Sequence, residues 1–448
     1  MQKTIEKIKF LNNRKQIGSL CCAPFTSMYF GHRGIISACC TNRTKILGVY
    51  PEKSLEEIWN GIEYKKMRED LKSFKFSLGC DQCKRLLKTG NLSTLKIPQH
   101  DVPGNKFEEL KYPYKLNFEL DNKCNLMCIM CHGKYSSKIL KYRENKPAYA
   151  SPYLNEVFFN ELQPFLKNAG SLEFYGGEPF LIDIYLKILD YVHIHNPGVN
   201  IYIQSNGTIV SEKILNLVDK LQINLSISMD SVIKSTYEKI RVGANYDKVV
   251  KNIESFHDIL KSNGRKFYIS PILCNLNYNE LIDFYNFANK YEMELYFHDL
   301  TTPREMSVYV LKEHQLQEQI EIIESKMSKI SLPSTEIEKY NFNVINSQLT
   351  HLKYILNNIV TAYKKDNFSI KDFLLKYFPK LEKTYVDAIA SYNISDKILS
   401  NSIIFSSMNE PPENNLYKQF SKLSEPEAKE LIITFIQKEK EIINRLNI

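Results

Sequence analysis

Cys124-Asn125-Leu126-Met127-Cys128-Ile129-Met130-Cys131 is the stretch that decides how this chain is read. Its three cysteines, separated by three and then two residues, directly follow an apolar, strand-like run from Tyr114 to Leu120. A complete [4Fe–4S] site takes four thiolates, one per iron, so three thiolates on one short loop hold three irons and leave the fourth open. A vacant coordination position is what a catalytic metal site keeps. The competing reading is a zinc knuckle or a structural cysteine cluster, and the three cysteines alone leave it open.

Downstream of this loop, apolar runs alternate with helical patterns, the signature of parallel βα units. The spacing predicts strands near Lys115–Leu120, Ser171–Tyr175, Asn200–Gln204, Asn224–Ser228, Phe267–Ile272 and Glu294–Phe297. Helices are expected between them, at Ile182–His193, Ser211–Leu221, Asp247–Leu260 and Tyr278–Tyr291. The class is therefore α/β, a partial (β/α)6 TIM-like barrel open on one side, with its active site at the C-terminal strand ends. Polar residues collect at those ends. Gly176-Gly177-Glu178-Pro179 follows the second strand, Ser205-Asn206-Gly207 the third and Ser228-Met229-Asp230-Ser231 the fourth. Glu238 and Arg241 lie on the next helix. The glycines allow close backbone approach, Glu178 can accept hydrogen bonds from a ligand ammonium, and Arg241 can pair with a carboxylate. Singly, each has a plainer reading as a turn or a solvated side chain.

In their order and strand-end placement, these residues and the three-cysteine loop resemble the radical S-adenosylmethionine (SAM) superfamily. The resemblance implies a cluster on Cys124, Cys128 and Cys131 whose open iron is chelated by the amino and carboxylate groups of SAM. Reduction then breaks the sulfonium C–S bond and releases a 5′-deoxyadenosyl radical. It further implies that Gly176, Gly177, Glu178 and Pro179 contact the SAM amino group. Ser205, Asn206, Ser228 and Asp230 would meet its ribose or carboxylate, and Arg241 would pair with the carboxylate. Met130 stands where many members carry an aromatic residue against adenine, and a thioether can also pack on a ring. His132 is read as a hydrogen-bond or packing partner.

The first hundred residues carry a second cysteine pattern. Cys21 and Cys22 precede Ala23-Pro24-Phe25, Gly34 is followed by Cys39 and Cys40, and Cys80 and Cys83 form a C-x2-C pair. Between them Ser54 and Glu57 form a capping box opening an amphipathic helix, with Leu55, Ile58, Trp59, Ile62 and Leu71 at helical spacing. This arrangement resembles the SPASM/Twitch auxiliary-cluster domain. The resemblance makes Cys21, Cys39, Cys80 and Cys83 the ligands of one auxiliary [4Fe–4S] cluster, with Cys22 and Cys40 as alternates. The cysteines are too few for two clusters and precede the barrel, so the module is closer to a one-cluster, Twitch-like form. Four thiolates also suit tetrahedral zinc, and the residues leave both metals open.

Three domains are expected: an auxiliary cluster domain over 1–105, the partial barrel over 106–302, and an all-helical cap or partner domain over 303–448. In the last, helical patterns run over Leu311–Ile330, Val344–Tyr363, Ile370–Tyr377 and Glu425–Leu446, with a capping box at Ser424 and Glu427. A substrate cap and a scaffold or dimerisation element are equal readings. Ten cysteines, cluster-like spacing and no long apolar run point to a cytoplasmic redox enzyme, not a secreted disulfide framework or a membrane protein. The net charge of +8 is mild for 448 residues and is scattered, so nucleic acid ranks last among partners. The expected partners are a substrate and a low-potential electron donor of flavodoxin or ferredoxin type. A peptide or protein side chain leads as substrate, and a sugar, sugar nucleotide or aminoglycoside-like molecule is the alternative. Cys274, just beyond the fifth strand, is a candidate hydrogen-atom donor to a substrate radical, against a plain role as a buried small hydrophobe.

Overall fold

The strands of this chain alternate apolar and polar side chains, Leu116 and Phe118 beside Asn117 in one and Leu172 and Phe174 beside Glu173 in the next, which gives the sheet one apolar and one more polar face. The structure, a computed structural model, describes residues 2–364 apart from 90, 91, 93 and 301. The chain divides into two compact units. One comprises Met1–Ile272, Asp283–His298 and Ser334–Asn341, and the other Leu273–Ile282, Asp299–Pro333 and the chain from Phe342.

The first unit is built on a nine-stranded sheet. Its strands are β1 (Ser27–Phe30), β2 (Ile35–Ser37), β3 (Gly48–Val49), β4 (Lys115–Phe118), β5 (Ser171–Phe174), β6 (Asn200–Ser205), β7 (Ile223–Ile227), β8 (Phe267–Ile269) and β9 (Glu294–Leu295). Strands β4 to β9 are parallel neighbours in chain order, the six expected barrel strands. At the other edge β1 pairs in parallel with β4, with Tyr29 opposite Asn117 and Phe30 opposite Phe118. Strands β2 and β3 continue antiparallel. The cysteine-rich segment is thus joined to the barrel through one hydrogen-bonded sheet, which its sequence did not indicate.

One face of this sheet is apolar. Phe30, Phe118 and Phe174 line up across β1, β4 and β5 with ring centroids 5.1 and 5.2 Å apart. Burying each such ring is worth about 2–3 kcal/mol. Tyr185, on helix Asp183–His195, packs on Phe174 and accepts a hydrogen bond from Leu120 N at 2.8 Å, fixing the end of β4. Helices begin where short polar side chains cap them: Asn155 accepts from Phe158 N and Asn245 from Lys248 N. Alternation puts Tyr29, Asn117 and Glu119 on the opposite face from the phenylalanines.

The capping box forms as expected, Ser54 N donating to Glu57 Oε2 and Glu57 N to Ser54 Oγ. The single amphipathic helix does not. The chain breaks at Asn60–Gly61 into helices Leu55–Trp59 and Ile62–Lys72, and Ile62 is exposed instead of joining Leu55, Ile58 and Leu71 in the core. Apolar residues resume after a two-residue redirection, so the pattern alone did not reveal the break.

In the second unit, helix Glu313–Met327 buries Leu316, Ile320 and Ile323. The long helix Glu336–Lys364, which starts in the first unit and enters the second from Phe342, covers the expected Val344–Tyr363 stretch. The predicted helices Ile370–Tyr377 and Glu425–Leu446, with the Ser424 and Glu427 box, lie outside the described residues. Among the described residues no helix is long and apolar enough to cross a membrane.

Candidate functional site

The three-cysteine loop leaves the C-terminal end of β4 and is held from several sides. Met127 N donates to Val242 O and Ile129 N to Ile240 O, both at 2.9 Å. Ser137 Oγ accepts from Cys124 N at 3.2 Å, and Ser136 Oγ donates to Leu126 O at 2.7 Å. Arg143 donates to the carbonyls of Cys128 and Cys131. Cys124, Cys128 and Cys131 are half-buried free thiols. Burial pushes their acidity down, the Cys124 thiol to a pKa of about 11 and Cys128 to about 12. The Arg241 guanidinium works against that by favouring thiolate. Metal loading here must displace protons and depends on pH accordingly.

The strand-end motifs close around this loop. Gly176 and Gly177 have φ of +77° and +50°, and a Cβ on Gly177 would stand 2.3 Å from Lys123 O. Only glycine lets the turn after β5 lie directly against the residues before Cys124. Pro179 then starts a short 3-10 turn in the buried interior. Glu178 N donates to Lys123 O at 2.8 Å. Its carboxyl is fully buried and accepts from Asn206 N at 2.6 Å, Ser205 Oγ at 2.8 Å and Phe180 N at 3.3 Å. Burial raises its pKa to about 7 against these hydrogen bonds, which lower it. Three of its acceptor positions are thus taken by the protein, so Glu178 first serves to tie the ends of β5 and β6 together.

Arg241, expected to face the SAM carboxylate, has an acidic partner within the protein. It is buried and paired with Asp230 at 2.8 Å, while Asp230 Oδ1 accepts from Ile272 N at 2.8 Å. Its Nε is buried without a hydrogen-bond partner. Ser228 Oγ accepts from Gln204 Nε2, and Glu238 accepts from Tyr246 N at the start of the next helix. Met130 is half-buried on the cluster loop, and exposed His132 packs on Tyr135 at 4.8 Å. Cys274 is not among the residues gathered here: it lies in the second unit, 2% exposed, its amide donating to Asn277 Oδ1.

Several positioning residues escaped the sequence reading. Asn125 accepts from Asn206 Nδ2 at 3.0 Å and donates to Thr208 Oγ1 at 2.8 Å, locking the cysteine loop to the end of β6. Its place inside the cysteine motif, and that of Thr208 just after the Ser-Asn-Gly turn, were the available signals.

The second set of thiols also converges. Cys21, Cys39, Cys80 and Cys83 line one small cavity, together with Asn42 and His100. Asn42 N donates to Cys39 Sγ and Asn42 Nδ2 to Cys80 Sγ, both at 3.4 Å. Such hydrogen bonds to sulfur tune a cluster's potential. The alternates separate from the cavity. Cys22 is buried with Phe25, Val102 and Phe107 and accepts from Arg14 Nη2, an arginine clamped on Asp101. Cys40 is exposed. Four thiols from three segments around one cavity are a donor set that fits a [4Fe–4S] cluster, and the three on the first loop fit one with an open iron.

Fold and site together define an α/β protein with a parallel partial barrel and two thiol centres. Residues 119–288 match the model of the Radical SAM superfamily, and residues 21–84 that of an iron–sulfur cluster-binding domain, SPASM. The chain carries a Radical SAM domain preceded by an auxiliary SPASM domain. Its cofactors are accordingly a [4Fe–4S] cluster and SAM, with further iron–sulfur ligation by the SPASM domain. The iron–sulfur reading therefore prevails over zinc at both centres.

Among curated relatives, an uncharacterized Methanocaldococcus jannaschii protein is 27% identical over 42% of this chain and 63% of its own length. The GTP 3′,8-cyclase of Clostridium acetobutylicum is 27% identical over 41% of this chain and 55% of its own. The mycofactocin maturase MftC of Mycolicibacterium smegmatis is 26% identical over 41% and 43%. The chain thus spans about half the length of the curated relatives it matches.

Proposed function

We propose that this enzyme abstracts a hydrogen atom from a peptide or protein side chain. The observation that carries the reading is an open pocket of about 410 Å³ whose walls come from both the SPASM segment and the residues around the cysteine loop. That volume lies within the usual range of ligand sites. Its open mouth suits one side chain projecting from a longer chain. The relationship to a mycofactocin maturase agrees with this. A second reading, oxidation or rearrangement of a small molecule such as a sugar nucleotide, is favoured by the relationship to GTP 3′,8-cyclases.

In this proposal Cys124, Cys128 and Cys131 hold the cluster that binds SAM, and Cys21, Cys39, Cys80 and Cys83 hold the auxiliary one. A [4Fe–4S] cluster held at the first of these sites would, once reduced, supply the electron for reductive cleavage of SAM. The chain's own work is positional. Gly176 and Gly177 bring the turn after β5 against the cluster loop, Glu178 and Asn125 fix the neighbouring strand ends, and Arg241 keeps positive charge beside the thiolates. We assign residues 1–105 to the auxiliary module, 106–302 to the catalytic barrel and 303–448 to a substrate-cap or partner element. The electron is delivered by a flavodoxin- or ferredoxin-type donor in the cytoplasm.

The test is anaerobic incubation of reconstituted protein with SAM and dithionite, following 5′-deoxyadenosine by mass spectrometry. Peptides encoded beside the gene are expected to raise its yield at least about tenfold and to change mass themselves, whereas GTP and sugar nucleotides do neither. Stimulation by the nucleotides alone would transfer the assignment to the second reading. At the auxiliary site, Cys21→Ala and Cys39→Ala are each expected to lower bound iron by about four per chain, while Cys22→Ala and Cys40→Ala leave it unchanged. The reverse pattern, measured by iron and sulfide analysis, would move the ligands to the neighbouring cysteines.

A further inference from the structure

The floor of the open pocket contains three polar side chains that the cofactor sites do not use. Tyr29, His32 and Glu119 are 2%, 8% and 6% exposed. Tyr29 Oη, His32 Nε2 and Glu119 Oε2 are each buried without a hydrogen-bond partner. An unmet buried polar group costs about 1–3 kcal/mol, and a fold seldom gathers three without something to meet them. The atoms lie together: His32 Nε2 is 3.6 Å from Glu119 Oε2, and the phenol neighbours the same carboxylate. All three line the pocket alongside Arg43, Asn122 and Tyr149.

The charged side chains at this floor, Glu119 and Arg43, are paired with each other, while Arg33, Lys134 and Lys146 complete the lining as exposed residues. Arg43 Nη2 binds Glu119 Oε1 at 2.8 Å, its Nε donates to Cys40 O, and its Nη1 to Tyr135 Oη. Burial holds the His32 pKa down at about 4 against the pull of Glu119, so the imidazole is neutral. An entering carboxylate would face Glu119 Oε2, and an entering ammonium would stand beside the Arg43 guanidinium, each adding an uncompensated buried charge. What fits is a neutral group with a proton for Glu119 and lone pairs for the phenol and imidazole.

We propose that Tyr29, His32 and Glu119 form a substrate subsite for an uncharged group that both donates and accepts hydrogen bonds, a hydroxyl or a carboxamide. This rests on the peptide-side-chain reading. It predicts that the side chain entering beside the cluster loop is of serine, threonine, asparagine or glutamine type.

The test is equilibrium dialysis of the reconstituted full chain against the N-acetyl-N′-methylamides of serine, glutamine, aspartate and lysine. It needs no turnover, so its failure is distinguishable from failure of the radical reading. The serine or glutamine derivative is expected to bind at least about fivefold more tightly than the charged pair, with the better of the two telling hydroxyl from carboxamide. Tyr29→Phe should weaken that binding about fivefold, and a thermal melt of the variant accompanies the measurement. Equal affinity for all four, preference for a charged one, no measurable binding, or unaltered affinity in Tyr29→Phe would each overturn the subsite.

Discussion

Changing Cys124, Cys128 and Cys131 together to alanine is expected to lower reconstituted iron from about eight to about four per chain and to abolish 5′-deoxyadenosine formation. The three thiols lie on one loop that supplies one centre, whereas Cys21, Cys39, Cys80 and Cys83 line a separate cavity. Loss at the first should therefore leave the second loaded. The fold should survive, because the loop's anchors are not its sulfurs. Backbone pairing of Met127 and Ile129 with Val242 and Ile240, and the Asn125–Asn206 bond, remain in the variant. The measurement is iron and acid-labile sulfide per chain beside a thermal melt. Iron falling from about four to none would mean that the SPASM cysteines hold no cluster, and unchanged iron would remove the first centre from these cysteines.

Gly177→Ala is expected to damage the site without removing any cluster cysteine or the Glu178 carboxylate. The residue sits at φ +50°, and its new Cβ would lie 2.3 Å from Lys123 O, a backbone atom one residue before Cys124. Nothing flexible can yield there. Either the turn after β5 retreats, taking Glu178 from Ser205 and Asn206, or the cysteine loop is displaced. Strain of this kind costs about 1–3 kcal/mol, and binding of SAM across the same contact should weaken by about tenfold or more, the equivalent of a loss of about 1.4 kcal/mol. Gly198→Ala is the control, since a Cβ there meets nothing within 4 Å. It should stay within about 0.5 kcal/mol of wild type. Equal Tm and SAM affinity in the two variants would show that the tight approach is not required.

The barrel was legible because its information is local. Six apolar runs alternating with amphipathic helices specify parallel βα units, and turn chemistry at the strand ends marks where the chain must bend toward a ligand. Cys124, Cys128 and Cys131 needed only their spacing, since one short loop presents all three. The SPASM helix misread at Asn60–Gly61 shows the limit of that approach: a period of 3.6 does not register a short redirection when buried residues resume on the same face. Between Cys21 and Cys22, or Cys39 and Cys40, nothing local distinguishes neighbours. Long-range packing is what separates the neighbours, Arg14 and Phe107 drawing Cys22 into a core while Cys40 faces outward.

By itself the sequence determined the fold class, the cluster loop and the strand-end motifs, because each is written in residues close together along the chain. Tertiary structure alone decided that β1 pairs with β4, that Arg241 is committed to Asp230, and that Glu178 is a buried tie between loops. It alone brought Tyr29, His32 and Glu119 to one pocket floor. Those outcomes depend on partners tens of residues away, and a pairing between distant residues is settled by which buried donors, acceptors and charges the folded chain must satisfy.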